Sequence, residues 1–371
     1  MFRAAIRMSK INGKILTSKG WVNGNVEFDK KIIKISPGKV NKDELIILPG
    51  FVDLHVPGGG GGDVMDGHDA IRCCATLHAK HGTTSFLATT ITAPYGNIIK
   101  AVKAIQEISV DRHSSEARVL GVHLEGPYIN PDMLGAQPPF TQRPDLDFIS
   151  KLCNYAQIRL VTLAPECDPK NLLLKYLTKK NIVVQIGHTA ADYQEVVQAI
   201  ADGARGFTHL YNAMSPLHHR IPGVVGAALA HGEYAAIIPD LVHVAPGAIL
   251  AALRALPHLY FVTDSTAAAG MPDGKYSLGS QIITKRGGSV FLDDETLAGS
   301  ALTMDQALRN LVSIGIDLDN AALRLSTVPA DLIGAFDRGR VEENAFADFV
   351  VMDQNLEVVK VFVEGKCISN S

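Results

Sequence analysis

Five residues able to hold a metal ion or carry a proton, His55, Glu125, His188, His209 and Asp264, each lie at or just beyond the end of a short apolar, β-rich run. Imidazoles and carboxylates are the ligands of catalytic divalent ions, and a carboxylate outside the ligand set can shuttle a proton. Gathered into one place, this His, Glu, His, His, Asp set has the make-up of a metal-dependent hydrolase.

The runs that would carry them number eight. Ile46 to Leu48 leads to His55, Thr84 to Thr90 to a Thr-rich tip, Val119 to Leu124 to Glu125, and Leu160 to Leu163 to Glu166. Ile182 to Ile186 leads to His188, Gly206 to Thr208 to His209, Ala235 to Ile238 to Asp240 and His243, and Tyr260 to Thr263 to Asp264. Between them lie stretches long enough for a helix and a return. Eight such units predict an α/β fold, a (β/α)8 TIM-like barrel, whose catalytic groups collect at the carboxyl ends of the strands.

The chain of 371 residues exceeds the roughly 250 that such a barrel requires. The surplus lies at both ends. Residues 1–49 alternate apolar and polar positions between Gly20, Gly24 and Pro37-Gly38, and FADFVVMD and VVKVFVEGK flank a turn at Gln354-Asn355. Neither segment has enough strands for a core alone. The expected organisation is a small β-sandwich domain from residues 1–49 and 335–371, beside a hydrolase barrel over residues 50–334.

Net charge is −3, with Lys and Arg scattered, so no footprint for nucleic acid is present. No apolar run reaches the ~20 residues of a membrane span, and the start of the chain lacks a signal-peptide core. The five cysteines form no CxxC pair, which fits reduced thiols and a cytoplasmic location. The Gly58 to Gly62 run is followed by Asp63-Val64-Met65 rather than the Gly-Lys-Ser/Thr of a phosphate-binding loop. It is expected to fold tightly under the site.

The segments PGFVDLH, GVHLEGPYINP, IGHT, THLYNAM, VTDSTAAAGMPDG and LAGSALTMDQALRN follow one another from Pro49 to Gly334. In sequence and order they resemble the N-acetylglucosamine-6-phosphate deacetylases of the amidohydrolase superfamily, and the terminal segments resemble that superfamily's accompanying sandwich. The resemblance implies that Glu125, His188 and His209 hold one divalent ion per subunit. Zinc is the first choice, with iron, manganese and cobalt also suited to these ligands. Asp264 then takes the proton of the attacking water and delivers it to the departing amine.

The chain departs from the family pattern twice. Many amidohydrolases carry His-x-His after the first strand; here the sequence is His55-Val56-Pro57, and proline has no ligating atom. A mononuclear site is therefore expected, with His55 beside the ligands rather than among them. Twelve residues after Glu125, where a histidine often polarises the substrate carbonyl, stands Gln137. Its amide can donate a hydrogen bond but carries no charge.

For the substrate, a sugar phosphate, the resemblance points to backbone groups of Asn212 and Ala213, to His243, and to Arg220 lent across a homodimer interface to the phosphate. His123 shares a strand face with Glu125 and is expected next to the ligands or packed in the barrel interior. His78 and His81 are expected at a helix surface or cap. Met271-Pro272-Asp273 is expected to form a loop over the sugar. The activity implied is deacetylation of N-acetyl-D-glucosamine 6-phosphate. Two alternatives are the galactosamine epimer and an inactive barrel that only binds sugar phosphates.

Overall fold

The computed structural model describes residues 8–39 and 45–368. Its centre is a ring of parallel strands: Phe51–Val56, Thr83–Thr90, Arg118–Glu125, Ile158–Leu163, Val183–Ile186, Gly206–Phe207, Tyr234–Ile237 and His258–Phe261. Each is followed by a helix, in turn His68–Lys80, Tyr95–Val110, Leu146–Tyr155, Leu172–Lys179, Tyr193–Ala201, Gly223–His231, Pro246–Ala255 and Met304–Ser313. The first six strands pair in chain order, and the last two pair with each other. Hydrogen bonds at the strand tips close the ring: Leu210 N donates to Ala236 O at 2.7 Å, and Asp264 N to His55 O at 3.0 Å. The expected (β/α)8 barrel is thus present.

The first two barrel strands are buried at every position, as parallel strands covered by helices on one face and filled by side chains on the other must be. The interior is not wholly apolar. His123, Thr162, Thr208, Gln185 and Tyr260 form a chain of side-chain hydrogen bonds across it, from His123 Nε2 to Thr162 Oγ1 at 2.8 Å through to Gln185 Nε2 on the Tyr260 hydroxyl at 2.6 Å. This polar belt lies under the mouth of the barrel and braces it.

One assignment from the sequence needs correcting. The run Ile46 to Leu48 is not the first barrel strand. As Ile46–Pro49 it lies between Ser9–Thr17, in parallel, and Phe349–Met352, antiparallel, in a second sheet. Gly50 is the elbow between the two bodies; a Cβ there would come within 2.3 Å of the Thr84 side chain. The barrel begins at Phe51.

The second sheet has seven strands and draws on both ends of the chain, with Gly20–Phe28, Ile32–Pro37, Val358–Val363 and Lys366–Ile368 completing it. All are hydrogen-bonded in one continuous sheet that curls over its own core. Phe28 meets Phe349 and Phe362 edge-on at 4.9 and 5.2 Å, and Lys31 bridges to Phe346. Two ends of one sheet thereby face each other as layers.

Sheet and barrel are joined by buried charge. Arg338 pairs with Asp348 at 2.5 Å and Glu364 at 2.6 Å, while Arg118, at the start of the third barrel strand, forks onto both oxygens of Glu364 at 2.9 and 3.0 Å. Burial opposes the charge of Glu364, yet the hydrogen bonds from Arg118 and Arg338 hold its carboxyl down to about 2.

After the eighth barrel strand the chain forms a three-stranded antiparallel sheet, Gly274–Leu278, Gln281–Arg286 and Ser289–Phe291, over one side of the barrel mouth. The loop expected at Met271-Pro272-Asp273 leads into it. Among the described residues, no helix is long and apolar enough to cross a membrane.

Candidate metal and active site

Glu125 ends the third barrel strand, and its Oε1 lies 3.2 Å from Nε2 of both His188 and His209, whose own Nε2 atoms are 3.0 Å apart. All three residues are buried. His188 donates through Nδ1 to the Met133 carbonyl at 2.9 Å, because a carbonyl can only accept. Its neutral form therefore turns an Nε2 lone pair towards the carboxylate oxygen. Two electron-rich atoms in that arrangement repel unless a cation lies between them. Ligands of tetrahedral zinc, at roughly 2.0–2.2 Å from the ion, are roughly 3.4 Å from one another. Glu125, His188 and His209 thus fit a divalent ion in both spacing and donor type.

The backbone turns these side chains inward at a cost. His188, His209 and Asp264 have φ of 50°, 30° and 48°, a left-handed conformation that residues with a Cβ disfavour by about 1–3 kcal/mol each. Such residues persist only where the surroundings over-determine them, and here backbone bonds do so: the carbonyls of His188, His209 and Asp264 accept from the amides of Asn130, Asn212 and Ser300 at 2.9, 3.0 and 2.8 Å.

Asp264 Oδ1 lies 3.2 Å from His55 Nε2, which in turn is 3.2 Å from Glu125 Oε2. His55 therefore stands between the two carboxylates. Burial disfavours its charge, but Glu125 and Asp264 outweigh that and raise it to about 9. Burial and the neighbouring charge of Glu125 push the Asp264 carboxyl up. The first and eighth strands are bolted together directly behind this pair by Asp53. Its Oδ2 accepts from Thr263 Oγ1 at 2.6 Å and its Oδ1 from His55 N at 3.1 Å. Complete burial raises the Asp53 carboxyl to about 7.

Above these groups opens a cavity of ≈ 530 Å³. His243 lines it and is held by Asp240 through a 2.6 Å contact; burial lowers its basicity, but Asp240 more than reverses this and raises it. Asn212 and Ala213 also line it. The Asn212 amide is already engaged with His209 O at 3.0 Å and the Ala213 carbonyl with Thr189 N at 3.0 Å, so the Ala213 amide is the backbone donor open to a ligand. Among the described residues no Arg or Lys lines the cavity. Arg220 sits outside it on an exposed loop, against His219, with Leu217 and Ile221 exposed on either side.

Residues 46–368 match the model of the amidohydrolase family. The chain is 40% identical over 331 residues, 86% of its length, to the N-acetylglucosamine-6-phosphate deacetylase of Bacillus subtilis (strain 168), covering 84% of that protein. The chain belongs to the N-acetylglucosamine-6-phosphate deacetylase family. It is also 36% identical over 370 residues to the N-acetylgalactosamine-6-phosphate deacetylase of Escherichia coli O157:H7, covering 96% of this chain and 98% of that one. Its fold superposes on a Mycobacterium smegmatis N-acetyl-D-glucosamine-6-phosphate deacetylase mutant, solved in complex with N-acetyl-D-glucosamine-6-phosphate, with a TM-score of 0.90. That match is 29% identical and covers 98% of this chain and 100% of the other.

Of the remaining histidines, His123 and His81 lie where the sequence suggests and His78 does not. His123 lies in the barrel interior, its Nδ1 3.0 Å from Leu54 O, and packs edge-on against His55. His78 is fully buried rather than exposed: its Nε2 contacts Gly58 O at 3.1 Å and Ser265 Oγ at 2.9 Å, and burial lowers it to about 4. It thereby ties the glycine run to the strand-eight loop. In that run Gly58 has Ala267 N only 2.6 Å from where a Cβ would stand. His81 pairs with Asp305 at its helix end.

Three residues support the site through contacts that the sequence did not reveal. Glu166 accepts from Asn130 Nδ2, Thr189 Oγ1 and Ala190 N at 2.9, 2.6 and 2.6 Å, bracing the loops on either side of His188. Asp53 lies inside PGFVDLH, where only its burial reveals a role. Thr92 belongs to the Thr-rich tip of the second strand, and its amide donates to Gln137 Oε1 at 2.7 Å.

Proposed function

We propose that this chain hydrolyses the acetamide of N-acetyl-D-glucosamine 6-phosphate to D-glucosamine 6-phosphate and acetate, using one divalent ion held by Glu125, His188 and His209. The observation that carries this reading is the meeting of two imidazoles on one carboxylate oxygen, with a second carboxylate, Asp264, facing the same cavity. Bound there, the ion supplies Lewis acidity that polarises the scissile carbonyl and acidifies the attacking water.

Asp264 accepts a proton as the water oxygen forms its bond to the acetamide carbon. It then donates that proton to the sugar nitrogen as the C–N bond breaks, so the amine leaves neutral. His55, wedged between Asp264 and Glu125, keeps the two carboxylates apart and oriented. Gln137 offers one amide hydrogen towards the substrate carbonyl. His243 and the Ala213 amide receive the sugar phosphate.

The cavity lacks an Arg or Lys among the described residues, and a phosphate dianion is poorly held without one. This supports a homodimer in which the partner subunit's Arg220 enters from its exposed loop. Zinc is the ion we propose. All five cysteines are free, which supports a cytoplasmic enzyme of amino-sugar breakdown or wall-precursor recycling. The galactosamine epimer is the second reading, favoured by the end-to-end match to the Escherichia coli relative.

The test is acetate release from both epimers, with and without the phosphate, by protein stripped of metal and then reloaded with zinc. Turnover of the glucosamine compound that depends on both ion and phosphate is expected. Equal or faster turnover of the galactosamine compound would shift the assignment to the epimer, and no turnover of either by the reloaded protein would sink the deacetylase reading.

A further inference from the structure

Gln137 is buried in the cavity wall, and its two ends are differently employed. Oε1 accepts the Thr92 amide at 2.7 Å and Nε2 donates to Glu125 Oε2 at 2.6 Å. A flipped amide is excluded, because the Thr92 N–H can only donate and must face oxygen. Thr92 is itself fixed tightly against the ligand strand. Gly126, next to Glu125, has φ of 72°, and a Cβ there would stand 2.2 Å from Thr92 Oγ1. A line of rigid contacts therefore runs from the second strand tip through Gln137 to the carboxylate.

That carboxylate is divided between two tasks. Oε1 meets the Nε2 atoms of His188 and His209, whereas Oε2 takes Gln137 Nε2 and His55 Nε2. A free carboxylate beside a divalent ion can swing to offer both oxygens, which raises the ligand count and occupies a place needed for water. Of the two groups on Oε2, Gln137 is the closer, 2.6 Å against 3.2 Å for His55.

We propose that Gln137 is a positioning residue for the metal ligand Glu125, pinning Oε2 so that Oε1 alone is presented to the ion. The proposal rests on the metal reading given above. It adds that the residue at the place expected to serve the substrate carbonyl also sets the geometry of the ligand. Its amide nitrogen has two hydrogens, so one can hold Glu125 while the other faces the cavity.

Gln137→Met keeps the side-chain length and removes both hydrogen-bonding groups; Gln137→Leu repeats the change with a different shape. Metal-free wild type and variants would be titrated with zinc and cobalt against a competing chelator, and the visible absorption of the cobalt forms compared. Loss of an outer hydrogen bond to a metal ligand typically weakens affinity ~10- to 100-fold, and that loss is expected here. The cobalt bands should also weaken in intensity as Glu125 becomes bidentate and the ligand count rises. Thermal melting of the metal-free variants should match metal-free wild type.

If wild type and both variants bind the ions equally tightly with the same cobalt spectrum, the role of Gln137 is overturned while the metal site stands. Wild type that binds no ion overturns the metal reading, and this inference falls with it. Melting of the metal-free variants lowered in step with their affinity would make Gln137 a general packing residue and overturn its specific role.

Discussion

One strand carries a cluster of buried charge at each end. At the amino end of Arg118–Glu125, Arg118 joins Arg338, Asp348 and Glu364 in a network where cations and carboxylates satisfy each other. At the carboxyl end, Glu125 meets two imidazoles, one of which, in its neutral form, turns a lone pair towards it. The first cluster is complete within the chain and works as a joint between sheet and barrel. The second is complementary to a cation from outside. Buried charge becomes a binding site where its own side chains cannot finish the pairing.

The largest effect should come from the binding end. Asp264→Asn keeps the shape but removes the proton acceptor, so turnover should fall ~100-fold or more while substrate still binds. Near-normal turnover in steady-state assays would assign the base elsewhere and leave that cluster without its distinguishing chemistry. Next comes Arg220→Ala. Removing a charge-assisted contact costs about 1.5–3 kcal/mol, so KM for the phosphorylated sugar should rise ~10- to 150-fold, with little change for the unphosphorylated one. In the proposed homodimer, mixing Arg220→Ala and Asp264→Asn chains would give heterodimers in which one site combines an intact Asp264 with the partner subunit's Arg220. Activity should partly return, and its absence despite proven subunit exchange would confine Arg220 to its own chain.

The completed cluster should respond in stability rather than turnover. Glu364 is held at about 2, below the ordinary carboxylate value, so its ionised form stabilises the fold fully above pH ~4.5. That contribution fades as pH falls through about 2. Glu364→Gln should therefore melt a few degrees lower at neutral pH, for a loss of about 1–2 kcal/mol, and the gap should close in acid. A gap that persists unchanged at pH 2 would mean that charge is not what the joint uses.

Legibility in the sequence followed the same division. Residues at strand ends with metal-binding side chains stood out, since His188, His209, Glu125 and Asp264 combine an unusual residue type with a repeated position. Supporting groups did not. Asp53 and Thr92 act through burial and a backbone amide, and His78 looks like a surface histidine until its helix is packed. The first strand was misplaced because Ile46 to Leu48 is wholly apolar whereas Asp53 interrupts the run Phe51 to Leu54, and only Pro49 and Gly50, the latter squeezed against Thr84, divide them. The small antiparallel sheet was legible in principle, with Gly279-Ser280 and Gly287-Gly288 between β-rich runs.

The seam between the first and eighth strands has a consequence for how the protein is made. Asp53 and Thr263, bonded at 2.6 Å, are 210 positions apart in the chain. Contacts so distant in sequence form late, because the intervening chain must be ordered first. During synthesis, a ribosome that has released Glu125, His188 and His209 still holds back Asp264, so a nascent chain would own all three proposed metal ligands but not the proposed proton carrier. Chemistry and completion of the ring would then begin together, and a truncated chain ending before the eighth strand would carry no stray hydrolytic activity.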